Sequence, residues 1–482
     1  MANDKVRIRF EGNTFECRPD TTAAVALWEN GVRHLSCSPK YGRPRGVTCA
    51  RGHCTACLMR VDGIPNVRTC ELPVREGMAI QRQDAGAFYA APMQMMLSAG
   101  HAFFPVGFYY KWFTRPPFVS RLFLGRIRPL TGIGRLPDAR YFLQAQPPAS
   151  PASGQNNLPT ADLGRFDTVV VGAGPAGLTA AAQATGRVLL VDDHLELGGQ
   201  RFGALKFLAA QPGGVMDRLP SLGLALKRIE TERGNISGRN EVTFLDRTRA
   251  IAGYHPDGLV LRRQNRLQTV RFQKLVWAAG ALDTLGLFPG NDTPGLMGPR
   301  ALYRLLIRDG LRLAGRQVLV IGGGFDFWLC AALLDTVGAR LSLVMTASEN
   351  PGEISAALDR NWQLTTGLKL DRITAKGQEH LRATFSPLES GNNRMKSHLV
   401  MDADLAVVCG RGKPAYDIPY QLGAELYLQP ERGGFTLNQP GQPLSDRREC
   451  SLSGGRLLAV AGEAAGSLPG AGSRPVDQVE CS

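Results

Sequence analysis

Residues 44–78 read PRGVTCARGHCTACLMRVDGIPNVRTCELPVREGM and carry Cys49, Cys54, Cys57 and Cys70 in the spacing C-x4-C-x2-C-x12-C. The first three cysteines match the plant-type [2Fe–2S] loop, in which a glycine-bearing turn wraps three thiolates and a fourth arrives from a strand. Iron in such a cluster requires soft, deprotonated sulfur, and four thiolates from one loop and one strand form a plausible cage. A structural zinc is the main competitor for four thiolates. Zinc knuckles usually bring their cysteines as two C-x2-C pairs, and this segment has one. Scattered core cysteines are a poor explanation, because four of the chain's ten fall between positions 49 and 70. The spacing predicts an electron carrier.

Working outward, residues 5–10 (KVRIRF) and 14–18 alternate as a hairpin around Glu11-Gly12-Asn13. Residues 20–31 (DTTAAVALWENG) predict a short helix with Asp20 or Thr21 as N-cap and Gly31 as terminator. Strand, strand, helix, cysteine loop and strand is the order of a ferredoxin-like β-grasp. Residues 87–165 contain the aromatic, basic run FFPVGFYYKWFTRPPFVSRLF (103–123) and end in PPASPASGQNNLPT, which has linker composition. The aromatic run is expected to pack across neighbouring domains, with a membrane-surface patch as the alternative.

A chain of 482 residues is too long for one core and predicts about three domains. Lys and Arg number 56 against 42 Asp and Glu, for a formal net charge of +14. That excess suits an acidic partner, an anionic cofactor or an anionic membrane face. No basic stretch is interleaved with aromatics as in a nucleic-acid module, so no nucleic-acid partner is expected. No apolar run approaches the ~20 residues of a membrane-spanning helix. The N-terminus reads directly as a strand without the apolar core of a secretion signal. Cys17, Cys37, Cys330, Cys409, Cys450 and Cys481 show no disulfide framework. A reducing cytoplasm is expected.

After the linker, DTVVVGAGPAG (167–177) runs a β-branched strand into Gly172-Ala173-Gly174-Pro175-Ala176-Gly177 and then the helix LTAAAQATG. A G-x-G-x-x-G alone is weak, but both its flanking elements are present here. A second strand, RVLLVDD (187–193), ends in acid. The glycines permit a tight turn and close approach to a pyrophosphate, which the helix N-terminus receives with its unpaired N–H groups. Asp192 sits where an acid binds ribose hydroxyls, with Asp193 as the alternative. Gly199 and Gln200, in LGGQ, let backbone approach a flat ring system, which favours FAD over NAD. KLVWAAGALDT (274–284) returns an apolar strand past that site at Ala279-Gly280.

A second strand-turn-helix lies at RQVLVIGGGFDFWLCAALLDTVGARLSLV (316–344), with Gly322, Gly323 and Gly324 but Phe327 in place of the third fingerprint glycine. A ring there would crowd the pyrophosphate, and no acid or arginine ends the following strand. NAD(P), or another nucleotide, at this fold is therefore left open. No C-x2-C dithiol appears in this half, and Cys330 is expected to be a core residue on a helix. MDADLAVVCGRGKP (401–414) and GGRLLAVAGEAAG (454–466) read as two further strands. The second ends in Gly462-Glu463, an acid position against the flavin's ribityl or pyrophosphate end, or an ordinary turn.

The cysteine loop, PVGFYYK (105–111), VVVGAGPAGL and LFPGNDTPGLMGPRAL (287–302) together resemble the α subunits of hetero-oligomeric sarcosine oxidases and their relatives: opine dehydrogenases, hydroxyproline dehydrogenases and hydrogen cyanide synthases. The resemblance implies an α/β fold: an N-terminal ferredoxin-like [2Fe–2S] domain before a glutathione/thioredoxin-reductase-like body of two dinucleotide folds. It implies FAD in that body and a β-type flavoprotein partner that oxidises a C–N bond, optionally joined by a further small cluster-bearing subunit. The chain ends at Ser482, 19 residues after Glu463, where the family runs on through a helix over the flavin. A partner closing the flavin site is the expectation that follows.

The expected organisation is residues 1–86 for the cluster domain, 87–165 for the connecting segment, 166–298 with 399–482 for FAD, and 299–398 for the second nucleotide fold. Two functions stay open: the electron-handling subunit of a heteromeric amine or amino-acid dehydrogenase, and a self-contained NAD(P)H-dependent FAD/[2Fe–2S] reductase. A scaffold with a structural FAD is a blander third. The expected location is the cytoplasm, with peripheral contact at the inner membrane face as an option.

Overall fold

The computed structural model describes residues 5–38, 43–83, 115–122, 161–212, 215–254, 257–263, 266–346, 362–377, 379–388, 398–410, 412–429, 434–436, 448–452 and 455–459. The chain divides into two units. One comprises Met1–Asn156, Gly203–Leu219 and Asp283–Arg411; the other Asn157–Phe202, Pro220–Leu282 and Gly412–Ser482.

Within the first unit, five strands form the expected β-grasp, in the order Asn13–Cys17, Val6–Phe10, Ala79–Gln81, Leu58–Val61, Ile64–Arg68. The hairpin turn is tight because Glu11 and Gly12 both take positive φ (49° and 87°), pairing Phe10 with Asn13. The helix Ala23–Glu29 buries Ala23 to Trp28. Its N-cap is Thr22, not Asp20 or Thr21, and no side chain caps it. Gly31, at φ 83°, ends it as expected, with its N–H on the Trp28 carbonyl. The aromatic run 103–123 lies almost wholly outside the described residues.

The same unit holds an all-parallel five-stranded sheet, ordered Leu296–Met297, Leu405–Cys409, Gln317–Gly322, Arg340–Met345, Gln363–Thr366. Leu319, Ile321 and Val344 share a core with Ile373, Leu381, Ala383 and Phe385 of an antiparallel meander. That meander runs Leu368–Lys376, His380–Pro387, Leu399–Ala403. The helix Phe325–Thr336 is buried along most of its length. Leu405–Cys409 pairs with Gln317–Gly322 in this sheet, and Asp283–Arg411 falls within this unit. All five residues of that strand are buried, and a strand buried on both faces carries no periodicity that assigns it to one sheet or the other.

The second unit is built on Ala161–Val171. Val188–Val191 and then Val242–Leu245 lie parallel to one side, and Arg266–Trp277 lies parallel on the other. Gly455–Ala459, from the predicted 454–466 strand, pairs in parallel with Lys274 to Trp277. The order reverses at Ala161–Val171, so the crevice beyond its C-terminal end is the switch point where such sheets bind ligands. Among the described residues no helix is long and apolar enough to cross a membrane.

Candidate cluster and flavin sites

In the cysteine loop, Ala50 and Gly52 take positive φ (47° and 68°), which turns the chain back on itself. The turn aims backbone donors at sulfur: the N–H groups of Arg51 and Cys54 each lie 3.4 Å from Cys49 Sγ. The N–H of Ala56 donates to Cys54 and that of Gly52 to Cys70. Cys54 lies within hydrogen-bonding reach of Cys49, and Cys70 of Cys57. Cys54 donates to Cys49, drawing the Cys49 thiol down to about 5 against the opposing effect of burial, with the loop N–H groups adding to the fall. Cys70 likewise lowers Cys57, and in each pair the thiol that keeps the proton is raised.

Thiols gathered in one loop, with backbone N–H groups aimed at sulfur, are what a thiolate-ligated iron–sulfur cluster needs. The loop thus supplies preorganised thiolate and N–H⋯S bonds, and the donor set fits [2Fe–2S]. The residue before Cys70 is tied to the loop: Thr69 donates through both N–H and Oγ1 to the Cys57 carbonyl, at 3.2 and 2.9 Å.

In the second unit the glycine turn enters the helix Pro175–Gln183. The three fingerprint glycines have different reasons to be glycine. A Cβ on Gly172 would lie 2.1 Å from the Ala278 carbonyl oxygen, and one on Gly177 would lie 1.7 Å from that of Gly172. Both are demanded by the fold. Gly174, the N-cap, has an ordinary φ of −75°, and a Cβ there would meet nothing nearer than Gly199 Cα at 3.9 Å. Among the described residues nothing fills the space beside Gly174. Pro175 occupies the first turn, where its missing N–H costs nothing, and Ala176 follows it.

Gly199 meets the same turn, since its Cβ would lie 2.8 Å from Gly174 Cα. Among the described residues Gln200 Oε1 is buried without a hydrogen-bond partner. Gly280, at φ 72°, stands 4.0 Å from Gln200 Nε2 by its Cβ position, and Ala279 precedes it beyond the Trp277 strand end. An open glycine cradle, a helix N-terminus and an orphaned buried amide oxygen converge, and they fit FAD. Gly462 and Glu463 lie outside the described residues.

Asp192, 8% exposed, accepts from the N–H of Ala173 at 2.6 Å and of His194 at 2.8 Å, which fixes the acid beside the turn. Asp193 pairs with Arg249 Nη2 at 3.0 Å. His194 Nδ1 lies 2.7 Å from Asp192 and 3.1 Å from Asp193. Burial pushes the imidazole pKa down, but the two carboxylates outweigh it and raise it. Sequence reasoning passed over His194, although its place directly after two acids at a strand end was the available signal.

The second glycine turn differs. Phe327 is fully buried, edge-on to Trp328 with ring centroids 5.1 Å apart. A ring cannot occupy the place where Gly177 touches the Gly172 carbonyl. The turn opens instead, and its N-cap Gly324 takes φ +77° where Gly174 has −75°. Beside it the chain supplies its own anions. Asp326 accepts from Tyr303 Oη at 2.9 Å and lies 3.7 Å from Arg300 Nη2. Arg300 is bound to Asp283 at 2.7 Å, and Asp283 also accepts the N–H of Arg300. Burial raises the Asp283 carboxyl, opposed by Arg300. Asp326 thus puts one of the chain's own carboxylates in the first turn of Phe325–Thr336. Cys330 is a core residue, as expected, with its sulfur 3.9 Å from that of Cys409.

Residues 3–85 match the 2Fe-2S iron-sulfur cluster binding domain, and residues 166–412 match the pyridine nucleotide-disulphide oxidoreductase family. The alpha subunit of sarcosine oxidase from Rhizobium meliloti is 28% identical over 368 residues, 73% of this chain and 35% of that protein. The A-type subunit of opine oxidase from the same organism is 31% identical over 198 residues, 40% of this chain and 41% of that one. The HcnA subunit of hydrogen cyanide synthase from Pseudomonas aeruginosa is 36% identical over 83 residues, 17% of this chain and 79% of that one. The chain thus spans 35% of the length of the sarcosine oxidase relative. L-proline dehydrogenase from P. horikoshii shares the fold, with a TM-score of 0.54 at 18% identity, covering 95% of this chain and 69% of that one.

Proposed function

We propose, from the premise that this chain belongs to the pyridine nucleotide-disulphide oxidoreductase family and to its α-subunit type with an N-terminal [2Fe–2S] domain, that it is the electron-handling subunit of a heteromeric amine or amino-acid dehydrogenase. A β-type flavoprotein partner oxidises the C–N bond. Bound FAD and the cluster supply two-electron and one-electron carriers for the path to an acceptor. This chain's residues do the holding: Cys49, Cys54, Cys57 and Cys70 take the cluster. The turn Gly172 to Gly177, with Asp192, Asp193, Gly199, Gln200, Ala279 and Gly280, takes FAD. Gly462 and Glu463 complete the flavin end of that proposal. The free thiols of Cys17, Cys330 and Cys409 accord with a cytoplasmic setting.

The observation that carries the choice between the two open functions is the second glycine turn. A self-contained NAD(P)H reductase must seat the dinucleotide's pyrophosphate on this turn, and here Phe327 replaces the third glycine and Asp326 puts a carboxylate in the first turn of the helix. The partner is then the source of electrons.

Anaerobic mixing tests this. Co-purified with its partner flavoprotein, the chain is expected to show bleached flavin and a reduced-cluster EPR signal on adding the amine substrate. NADH or NADPH is expected to leave both oxidised. Rapid flavin bleaching by NADH or NADPH with the chain alone would transfer the assignment to the reductase.

A further inference from the structure

The cluster domain is fastened to the second nucleotide fold by a short segment of that fold. It is the π-helical turn Arg304–Arg308 and the residues after it. Thr21 Oγ1 donates to the Asp309 carbonyl at 3.0 Å, and Arg18 Nη2 donates to that of Gly310 at 2.8 Å. Glu29 accepts from Arg18 at 3.2 Å and from the N–H of Arg312 at 3.1 Å. At the centre, Arg308 Nη2 donates to the backbone carbonyl of Cys70, the fourth cluster cysteine, at 3.0 Å. The same guanidinium chelates its neighbour Asp309 through Nε and Nη2, at 2.6 and 2.7 Å, and the Asp309 side chain is 3% exposed.

We infer that Arg308 is a positioning residue that sets the reduction potential of the cluster. The inference rests on the assignment of the cluster to these four cysteines. Three observations meet in it. The contact is to the ligand's own peptide rather than to a remote surface. The cation is oriented, because its two bonds to Asp309 leave one N–H aimed at Cys70. And Cys70 is fully buried, so the ligand's side of the contact is screened less than the partly exposed guanidinium itself. Reduction adds one negative charge to the cluster, and hydrogen bonds and net charge around the sulfurs are the protein's means of favouring or opposing it. A guanidinium at the fourth ligand favours the reduced form and raises the potential. Asp309 opposes part of that effect, which makes the ion pair a two-sided adjustment.

The test is EPR-monitored redox titration of the full-length chain, with iron and labile sulfide measured on each sample. Arg308→Gln is expected to retain the cluster, since all four thiolates remain. It should disfavour reduction by about three- to tenfold, the upper figure being about 59 mV for a one-electron couple. The range is modest because the Arg308 side chain is 40% exposed. Arg308→Lys should restore part of the shift, and Asp309→Asn should move the potential in the opposite direction, upward. A purely mechanical role for the contact would move Arg308→Gln and Asp309→Asn the same way or neither, and that result overturns the inference. Absence of iron and labile sulfide from the unaltered chain would instead refute the cluster assignment itself.

Discussion

Gly174→Ala separates what the fold requires from what the ligand requires. At φ −75° and ψ −179°, Gly174 has a backbone conformation open to any L-residue, and among the described residues the added methyl would touch only Gly199 Cα at 3.9 Å. Alanine is a poorer N-cap than glycine by about 0.5–1 kcal/mol. Reduced freedom in the unfolded chain returns about 0.4–1 kcal/mol. The apo protein should therefore melt within a few degrees of the unaltered one. The bound state is different. The methyl enters the space through which the pyrophosphate approaches the helix N-terminus, and displacing the anion from two N–H donors forfeits about 3 kcal/mol. That corresponds to a roughly hundredfold weaker Kd. Flavin-fluorescence quenching on titrating apoprotein with FAD reads the affinity, and calorimetry reads the apo midpoint. Gly177→Ala is the internal control. Its Cβ would sit 1.7 Å from the Gly172 oxygen, so it should destabilise the apo fold by at least about 1–3 kcal/mol. If Gly174→Ala binds FAD as tightly as the unaltered chain, or its apoprotein melts as early as Gly177→Ala, the cradle is misassigned.

Three further expectations follow from the same geometry. Cys54→Ser should abolish most cluster absorbance while leaving FAD stoichiometric, because cysteine loop and glycine turn belong to different units; visible spectra and flavin extraction decide it. The raised pKa of His194 means its contribution to apo stability is fully present below about pH 6.5 and lost as pH rises through the folded value; His194→Gln should flatten the thermal midpoint across that window. Asp402, bound by Lys376 and Arg382 in the meander, is held far below the usual carboxylate range, so its contribution is present above about pH 4 and lost on acidification. At 38% side-chain exposure, Asp402→Asn should cost no more than about 1 kcal/mol near neutral pH, measured by urea unfolding.

What was legible in the sequence was what short spacing encodes. The β-grasp order, the cysteine loop, the two glycine turns and the acid at position 192 are each written within a few dozen residues, with the turn chemistry visible as glycine. Phe327 was legible as a misfit for the same reason, and the structure adds how the misfit is accommodated, by a left-handed Gly324. Sheet membership was not legible. Leu405–Cys409 is as apolar as the FAD-domain strands, and only pairing with Gln317–Gly322 assigns it. Nor was the N-cap, because Thr21 spends its hydroxyl on the Asp309 carbonyl, 288 residues away. Arg308 and Cys70 are separated by 238 residues, and nothing local marks either as the other's partner.

Iron, acid-labile sulfide and flavin measured together on the anaerobically purified chain test most directly whether one chain holds both a [2Fe–2S] cluster and FAD. Two irons, two sulfides and one FAD per chain are expected. Zinc without labile sulfide, or iron and sulfide in a chain that never binds flavin, would contradict it.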